Sequence, residues 1–177
     1  VLTPAAKGMK GAIEEAVKLV GTTANAWMPQ QFDNPANPEF HRQTTGPEIL
    51  RDFAGRRLDY WVSGWGTGGT LTGAGEVIRL ARPDVKIIAT EPAGASLLGG
   101  KEWQPHKIQG WTPDFLPSVL NREVYDELVP VIEEDAKTVA LRLARELDNF
   151  NRERRTIEKD MKAQAQDLLA SMSLDID

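Results

Sequence analysis

The sequence contains no cysteine and only two histidines among its 177 residues. Without cysteine it has no disulfide, no thiolate nucleophile and no sulfur-ligated metal site. His41 and His106 stand alone on segments that we expect at the surface, and no third histidine or cysteine supports them as catalysts or ligands. The sequence therefore predicts no metal site, and its lack of cysteine fits a cytoplasmic protein.

Long apolar runs and a basic excess are also missing. No apolar stretch approaches the roughly 18 residues that a membrane-spanning helix needs, and the N-terminus has no secretory pattern. The net charge of −5 argues against nucleic acid as a partner, because phosphate-binding surfaces carry a basic excess. The apolar fraction of 41% is nevertheless sufficient for a packed core.

A glycine- and threonine-rich stretch, Ser63 to Gly75, is the most informative part of the sequence. An apolar, strand-like run precedes it and a helical pattern follows it. Strand, glycine turn and helix N-terminus bring free backbone N–H groups and the positive end of a helix dipole together. Glycine lets the main chain approach a ligand closely, and Thr67 and Thr70 add hydroxyl donors. The stretch predicts a phosphate-binding cup.

Hydrophobic periodicity predicts an α/β fold around this cup. Successive strand, helix and strand patterns predict a parallel sheet with a right-handed crossover. A long loop at 92–117 is rich in glycine and proline, and such loops are usually functional. The predicted helices are 5–20, 37–53 (with Asn37 as N-cap and a disturbance at Gly46–Pro47), 71–82 and 133 onward; the predicted strands are 26–32, 58–62, 85–90 and 127–132.

The last helical pattern continues past the point where an α/β domain would end. Its apolar residues follow spacings of three, four or seven, which is typical of a packing or pairing helix. We predict an α/β domain at residues 1–145 and a helical tail of different origin at residues 146–177. The apolar stripe of this helix comprises Leu143, Leu147, Phe150, Ile157, Met161, Ala165, Leu168 and Met172.

Spacing alone leaves more than one interpretation of the cup. A tight turn with glycines placed for packing is the simplest. A P-loop is excluded because no Gly-Lys-Ser/Thr follows. A dinucleotide-binding turn is a real contender, since Gly64, Gly66 and Gly69 satisfy G-x-G-x-x-G and Glu91 closes the next strand at a distance suited to holding a ribose.

Four motifs stand in register across residues 1–145: Gln30–Pro38, Thr44–Ile49, Gly66–Thr70 and His106–Gly110. In order and separation they resemble cysteine synthase, the O-acetylserine sulfhydrylase branch of the fold-type II pyridoxal phosphate enzymes. The resemblance implies a parallel sheet flanked by helices, pyridoxal phosphate as cofactor, and β-replacement that makes L-cysteine from O-acetylserine and sulfide. Glu91 then becomes a strand-end residue without a ribose.

The same resemblance implies a set of binding residues. The phosphate of the cofactor is held by the cup, the cofactor's other face is lined by a glycine of the long loop, and the substrate carboxylate lies near a glutamine. In that order these residues are Gly66, Thr67, Gly68, Gly69 and Thr70; Gly110; and Gln31.

The family's Schiff-base lysine stands in a Lys-Asp-Arg type motif, which nothing in this sequence matches. Lys7 and Lys10 occur on the first predicted helix in a different context, and we assign neither. We therefore expect no catalytic residue here, and a truncated or chimaeric chain that keeps the phosphate cup but is inactive alone.

Within the tail, residues 147–161 resemble a helical stretch of the RecJ-type single-strand exonucleases of the DHH phosphoesterase family. The resemblance covers about residues 146–172, includes none of that family's metal ligands and implies no nuclease. A generic charged amphipathic helix explains the same residues. Two alternatives to the enzyme fragment remain: a non-catalytic interaction protein that self-associates or binds a partner through this helix, and a dinucleotide-binding module.

Overall fold

A computed structural model describes residues 1–173 of the chain. It divides the chain into two compact units, Val1–Glu133 and Glu134–Asp177. The first unit contains a parallel sheet in the order β1-β2-β3. Its strands are β1 (Tyr60–Gly64), β2 (Lys86–Pro92) and β3 (Glu127–Val131), and its α-helices are α1 (Gly8–Thr22), α2 (Ala36–Gln43), α3 (Thr45–Asp52) and α4 (Gly69–Ala81).

The parallel sheet and its helices confirm the predicted fold class. In the register of the sheet, Gly64 of β1 pairs with Thr90 of β2, and Thr90 pairs with Val129 of β3. Strand β2 lies in the middle and is buried over most of its length, as its nearly continuous apolar sequence predicts. The carboxyl ends of the strands therefore meet at one edge, where β1 leads into the predicted cup.

Helix α4 packs closely against α2 because its first turns carry glycine. A Cβ at Gly73 would collide with the backbone carbonyl of Pro38 in α2, and one at Gly75 would press on Val124 at 2.9 Å. Large apolar side chains, including Leu71 and Ile78 of α4 itself, form the hydrophobic core. Its buried members are Trp65, Leu71, Ile78, Val85, Ile87, Ala89, Leu120 and Val124.

The strand predicted at 26–32 is wrong. The backbone there has no ladder partner and ends in a turn, in which the N–H groups of Asp33 and Asn34 both donate to the carbonyl of Gln30. Gln30 has a φ of +52°, a left-handed conformation that a strand does not accommodate. The segment is therefore irregular, with Trp27 exposed and Phe32 buried.

The single helix predicted at 37–53 is two helices, α2 and α3, which meet at Thr44 rather than at Gly46–Pro47. Asn37 is not the N-cap, because α2 begins one residue earlier and the side chain of Asn34 accepts the N–H of Ala36 at 3.0 Å. The side chain of Asn37 is thus available for another contact. The long loop predicted at 92–117 is confirmed from residue 93 onward, since Pro92 ends β2 and the only regular element up to residue 117 is a 3-10 turn at Ala93–Ala95.

Helix α5 (Glu133–Ser173) makes up the described part of the second unit. It runs without a break through the predicted boundary at 145/146, and the separate origin of the tail stays a prediction. Of the predicted stripe, the side chains of Ala165, Leu168 and Met172 lie outside the described residues, as do residues 174–177. None of the helices described is long and apolar enough to cross a membrane.

Candidate functional site

The predicted cup lies where β1 ends and α4 begins. Gly68 forms the N-cap of α4 with a φ of +83°, a left-handed conformation that glycine adopts without strain. A Cβ there would also collide with Leu120 at 2.6 Å. The Oγ1 of Thr67 accepts the backbone N–H of Gly69 at 3.2 Å. Helix α4 thus begins directly after a turn that only glycine fits, and its first turn contains backbone N–H groups that have no partner within the helix.

Two other parts of the chain approach the cup so closely that no side chain fits between them. A Cβ at Gly66 would collide with the carbonyl oxygen of Gly110, and one at Gly69 would collide with the side chain of Asn37. The cup is therefore held between the long loop on one side and α2 on the other. The predicted residues Gly66 and Gly110 are brought together, although more than forty positions separate them.

Asn37 contacts the cup directly, and sequence reasoning did not find it. Its Nδ2 donates to the Oγ1 of Thr67 at 2.9 Å and to the backbone carbonyl of Gln31 at 2.8 Å. One amide thus connects the cup to the segment that carries the predicted substrate-binding glutamine. Asn37 lies inside the Gln30–Pro38 motif, and this position could have indicated a role in the site. The sequence analysis instead assigned Asn37 only as a helix N-cap.

His41 is not isolated at the surface, which corrects the prediction. It is half-buried on α2, with its Nδ1 2.8 Å from the Oγ1 of Thr45 and its Nε2 3.1 Å from the Oγ1 of Thr70. Burial lowers the pKa of His41 below its ordinary value. At neutral pH the lowered pKa favours a neutral imidazole beside the hydroxyl of Thr70.

A cavity of about 290 Å³ opens beside the cup. Four predicted binding residues line it: Gln31, Gly66, Thr67 and Gly110. Gly68, Gly69 and Thr70 follow Thr67 in the chain, at the start of α4. The other lining residues come from α1, from the turn after it and from the long loop, and no lysine is among them; they are Gly8, Met9, Phe32, Trp103, His106, Ile108, Gln109, Trp111, Thr112, Pro113 and Asp114.

The wall of this cavity contains buried polar atoms without a hydrogen-bond partner in the structure: Nδ1 of His106, Oγ1 of Thr112 and Oδ1 of Asp114. The backbone around them is fixed, because the N–H of Thr112 donates to the carbonyl of Trp65 at 2.7 Å. Buried polar groups are normally paired, so their clustering here is a mark of a ligand site.

These residues fit pyridoxal phosphate. The glycine cradle, the helix N-terminus and two hydroxyls suit a compact phosphate, while aromatic walls and unpaired polar atoms suit a polar ring and a small substrate. Thr67 and Thr70 supply donors that a pyrophosphate-spanning turn does not need.

Glu91 has no free oxygen for a ribose. Its side chain is fully buried, and its carboxyl accepts hydrogen bonds from Trp65 Nε1 at 3.3 Å and Ser96 Oγ at 2.5 Å. The backbone N–H groups of Leu98 and Gly99 add two more at 3.2 and 3.1 Å. Glu91 therefore fastens the start of the long loop to the sheet, which favours the strand-end interpretation over the dinucleotide one.

Comparison with known proteins places these features in one family. Residues 2–150 match the family model described as pyridoxal-phosphate dependent enzyme. O-ureido-L-serine synthase of Streptomyces lavendulae is 56% identical over 117 residues, which cover 66% of this chain and 36% of that protein. Cysteine synthase of Staphylococcus aureus (strain N315) is 45% identical over 146 residues, which cover 82% of this chain and 47% of that protein.

Solved structures give the same result. The crystal structure of O-ureido-L-serine synthase superposes with a TM-score of 0.79 at 50% identity, covering 81% of this chain and 45% of that one. That of cysteine synthase from Entamoeba histolytica gives 0.70 at 39% identity, covering 77% and 40%. The chain thus spans less than half the length of these relatives.

Proposed function

The chain belongs to the pyridoxal-phosphate-dependent enzymes, in the fold-type II branch that contains cysteine synthase, and we propose that its residues 66–70 hold the cofactor phosphate. Enzymes of this family use pyridoxal phosphate. The observation that carries the proposal is the left-handed turn at Gly68, which places the N-terminus of α4 beside the hydroxyls of Thr67 and Thr70. A phosphate receives there both backbone and side-chain hydrogen bonds.

The neighbouring residues take complementary roles. Gly110 approaches Gly66 closely and lines the same cavity, and we assign it to the other face of the cofactor. Gln31 lines the same cavity, and we assign it to the substrate carboxylate. Its main chain is tied to the cup through Asn37, so the substrate end and the phosphate end of the site are held at a fixed separation.

For the whole protein we infer β-replacement on an activated L-serine. Bound pyridoxal phosphate supplies an electron sink for charge that develops at the substrate Cα. The residues of this chain anchor the phosphate, orient the carboxylate and enclose the reacting atoms. O-acetylserine and sulfide, giving L-cysteine, are the substrates we propose; the 56% identical relative is named for a different product, O-ureido-L-serine, and both products belong in the assay.

We further propose that this chain alone binds but does not catalyse, and that residues 146–177 have a separate origin. The support for the first is that no lysine lines the cavity. Purified chain, pyridoxal phosphate, O-acetylserine and sulfide should yield no cysteine above a protein-free control. Turnover above that control would overturn the claim, and the full reading frame of the gene tests the origin of the tail.

A titration separates the cofactor from the dinucleotide alternative. Pyridoxal phosphate and NAD are titrated into the chain side by side in a calorimeter. The phosphate cup predicts saturable heat with pyridoxal phosphate and none with NAD. Preferential binding of NAD would restore the dinucleotide interpretation.

A second candidate function is self-association through α5, which would give a homo-oligomer. The observation that favours it is a row of apolar side chains that are more than half exposed: Leu143, Leu147, Phe150, Ile157 and Met161. Exposed apolar rows of this spacing are typical of pairing helices. Sedimentation of the full chain and of one ending at Arg145 tests it, and equal association states would argue against the helix.

A further inference from the structure

The hydroxyl oxygen of Thr67 accepts two hydrogen bonds from neighbouring N–H groups of the protein. Its Oγ1 receives the Nδ2 of Asn37 at 2.9 Å and the N–H of Gly69 at 3.2 Å. A hydroxyl has one proton and two acceptor lone pairs. With both lone pairs engaged, the proton of Thr67 is directed away from these two donors and is available to an incoming acceptor.

The hydroxyl of Thr70 has a similar neighbour in His41. A neutral imidazole carries one N–H and one bare nitrogen, so it can act in two ways between Thr45 and Thr70. With the proton on Nδ1, His41 donates to Thr45 and consumes the proton of Thr70. With the proton on Nε2, it accepts from Thr45, donates to Thr70 and leaves the Thr70 proton for a ligand.

We propose that Asn37 and His41 are positioning residues, which hold the protons of Thr67 and Thr70 toward the bound phosphate, with His41 in its Nε2–H form. This inference rests on the proposed cofactor site. Thr45 completes it by donating its hydroxyl proton to Nδ1. Two side chains of α2 thereby orient the hydroxyl protons of Thr67 and Thr70, so that both hydroxyls donate to the ligand.

The arrangement favours a ligand that only accepts hydrogen bonds. Three hydrogen bonds run in one direction, from Thr45 through His41 and Thr70 to the ligand, and such chains strengthen one another in a site of low polarity. A fully ionised phosphate ester has only acceptor oxygens, so it benefits from every donor. A ligand that must itself donate gains less from this cup.

Nitrogen-15 NMR of the full chain with pyridoxine 5′-phosphate observes the tautomer directly. The chain provides its own reference, since it has two histidines and the Nε2 of His106 faces the carbonyl of Thr112 at 3.1 Å. A carbonyl only accepts, so the Nε2 of His106 carries a proton. A His106→Gln variant assigns the two signals. We expect His41 to show the Nε2–H pattern when ligand is bound, and the Nδ1–H pattern would overturn the proposal.

A double-mutant cycle provides a second, independent readout. Thr45→Val removes the proton that His41 accepts and should weaken pyridoxine 5′-phosphate binding by about threefold to tenfold, the effect of one neutral hydrogen bond. Thr70→Val should weaken it by roughly tenfold or more, because its bond reaches a charged group. On the Thr70→Val background, Thr45→Val should change affinity by less than about twofold, since the chain of bonds is already cut.

The controls separate this role from simple support of the fold. Thr45→Ser keeps the hydroxyl and should restore affinity. Thr22→Val removes a hydroxyl that bonds only to carbonyls of its own helix, and should leave affinity unchanged. A penalty for Thr45→Val that persists on the Thr70→Val background means a structural role and refutes the inference alone. A wild-type chain that binds no phosphate ester refutes the proposed function together with it.

Discussion

The indole nitrogen of Trp65 donates a hydrogen bond to the buried carboxyl of Glu91 at 3.3 Å, joining the residue just before the cup to the end of β2. Ser96, Leu98 and Gly99 direct three more donors to the same carboxyl. The side chain of Glu91 therefore connects Trp65, which precedes the cup, to the start of the long loop.

Glu91→Ala should lower the free energy of unfolding by about 3 kcal/mol, because it strands these donors in the interior. Urea denaturation followed by tryptophan fluorescence measures the change. Glu102→Ala, at an exposed position of the same loop, is the matched control and should stay within about 0.5 kcal/mol of the wild type. Equal stability of the two variants would show that Glu91 does not hold the loop.

Gly66→Ala should displace Gly110, whose carbonyl oxygen occupies the space that the new Cβ needs. We expect it to weaken binding of pyridoxine 5′-phosphate by about tenfold or more, through loss of several aligned hydrogen bonds. Calorimetric titration measures the affinity. In Gly21→Ala the Cβ meets nothing within 4 Å, so that helix variant should bind normally and gain up to about 1 kcal/mol of stability. Normal binding by Gly66→Ala would contradict the close contact.

The hydrogen bond from Arg79 at 2.6 Å, then that from the N–H of Ile87 at 2.7 Å, lower the pKa of Asp126 below its ordinary value of 3.8. A carboxyl whose pKa is lowered in the folded protein stabilises the fold at pH values above its ordinary pKa. This stability is lost as the pH falls through the lowered pKa. Asp126→Asn should cost about 1 kcal/mol at pH 7, a figure reduced for solvent screening because the side chain is about a third exposed.

Chemical denaturation of wild type and Asp126→Asn at pH 7 and near pH 2 checks the sign. The difference between the two proteins should shrink at the lower pH, because the stability that comes from the lowered pKa of Asp126 is lost as the pH falls. Asp84→Asn, at an exposed position before β2, is the matched control for the loss of a surface carboxylate. A difference between wild type and Asp126→Asn that grows on acidification would refute the assignment.

The cup was predictable because its signal is local. An apolar strand, four glycines and two threonines within a dozen positions define the turn and the helix start, and the structure has the strand at Tyr60–Gly64 and the helix at Gly69–Ala81. The predicted strand and helix each began two residues away. Glycine and threonine have low helix propensity, so the sequence pattern does not indicate a helix where they occur. In the structure Gly69 and Thr70 begin α4.

The contacts of Asn37 and His41 with the cup were not predictable in the same way, because they are not local in the sequence. The hydrogen bond from Asn37 to Thr67 spans 30 positions, and the hydrogen bond between His41 and Thr70 spans 29. Spacing patterns within one helix carry no information on which helix face meets a turn elsewhere. Sequence therefore placed Asn37 at a helix cap and His41 at the surface, and only the packing of α2 on α4 assigns both to the site.

The most direct test of the central claim compares two ligands that differ by one group. Pyridoxine 5′-phosphate and pyridoxine share the ring and lack the aldehyde, so neither reacts with surface lysines. Calorimetric titration of the full chain should give saturable binding of pyridoxine 5′-phosphate at least about tenfold tighter than that of pyridoxine, because pyridoxine lacks the phosphate that we propose the cup binds. Equal affinity for the two ligands, or no binding of either, would contradict a phosphate cup at residues 66–70.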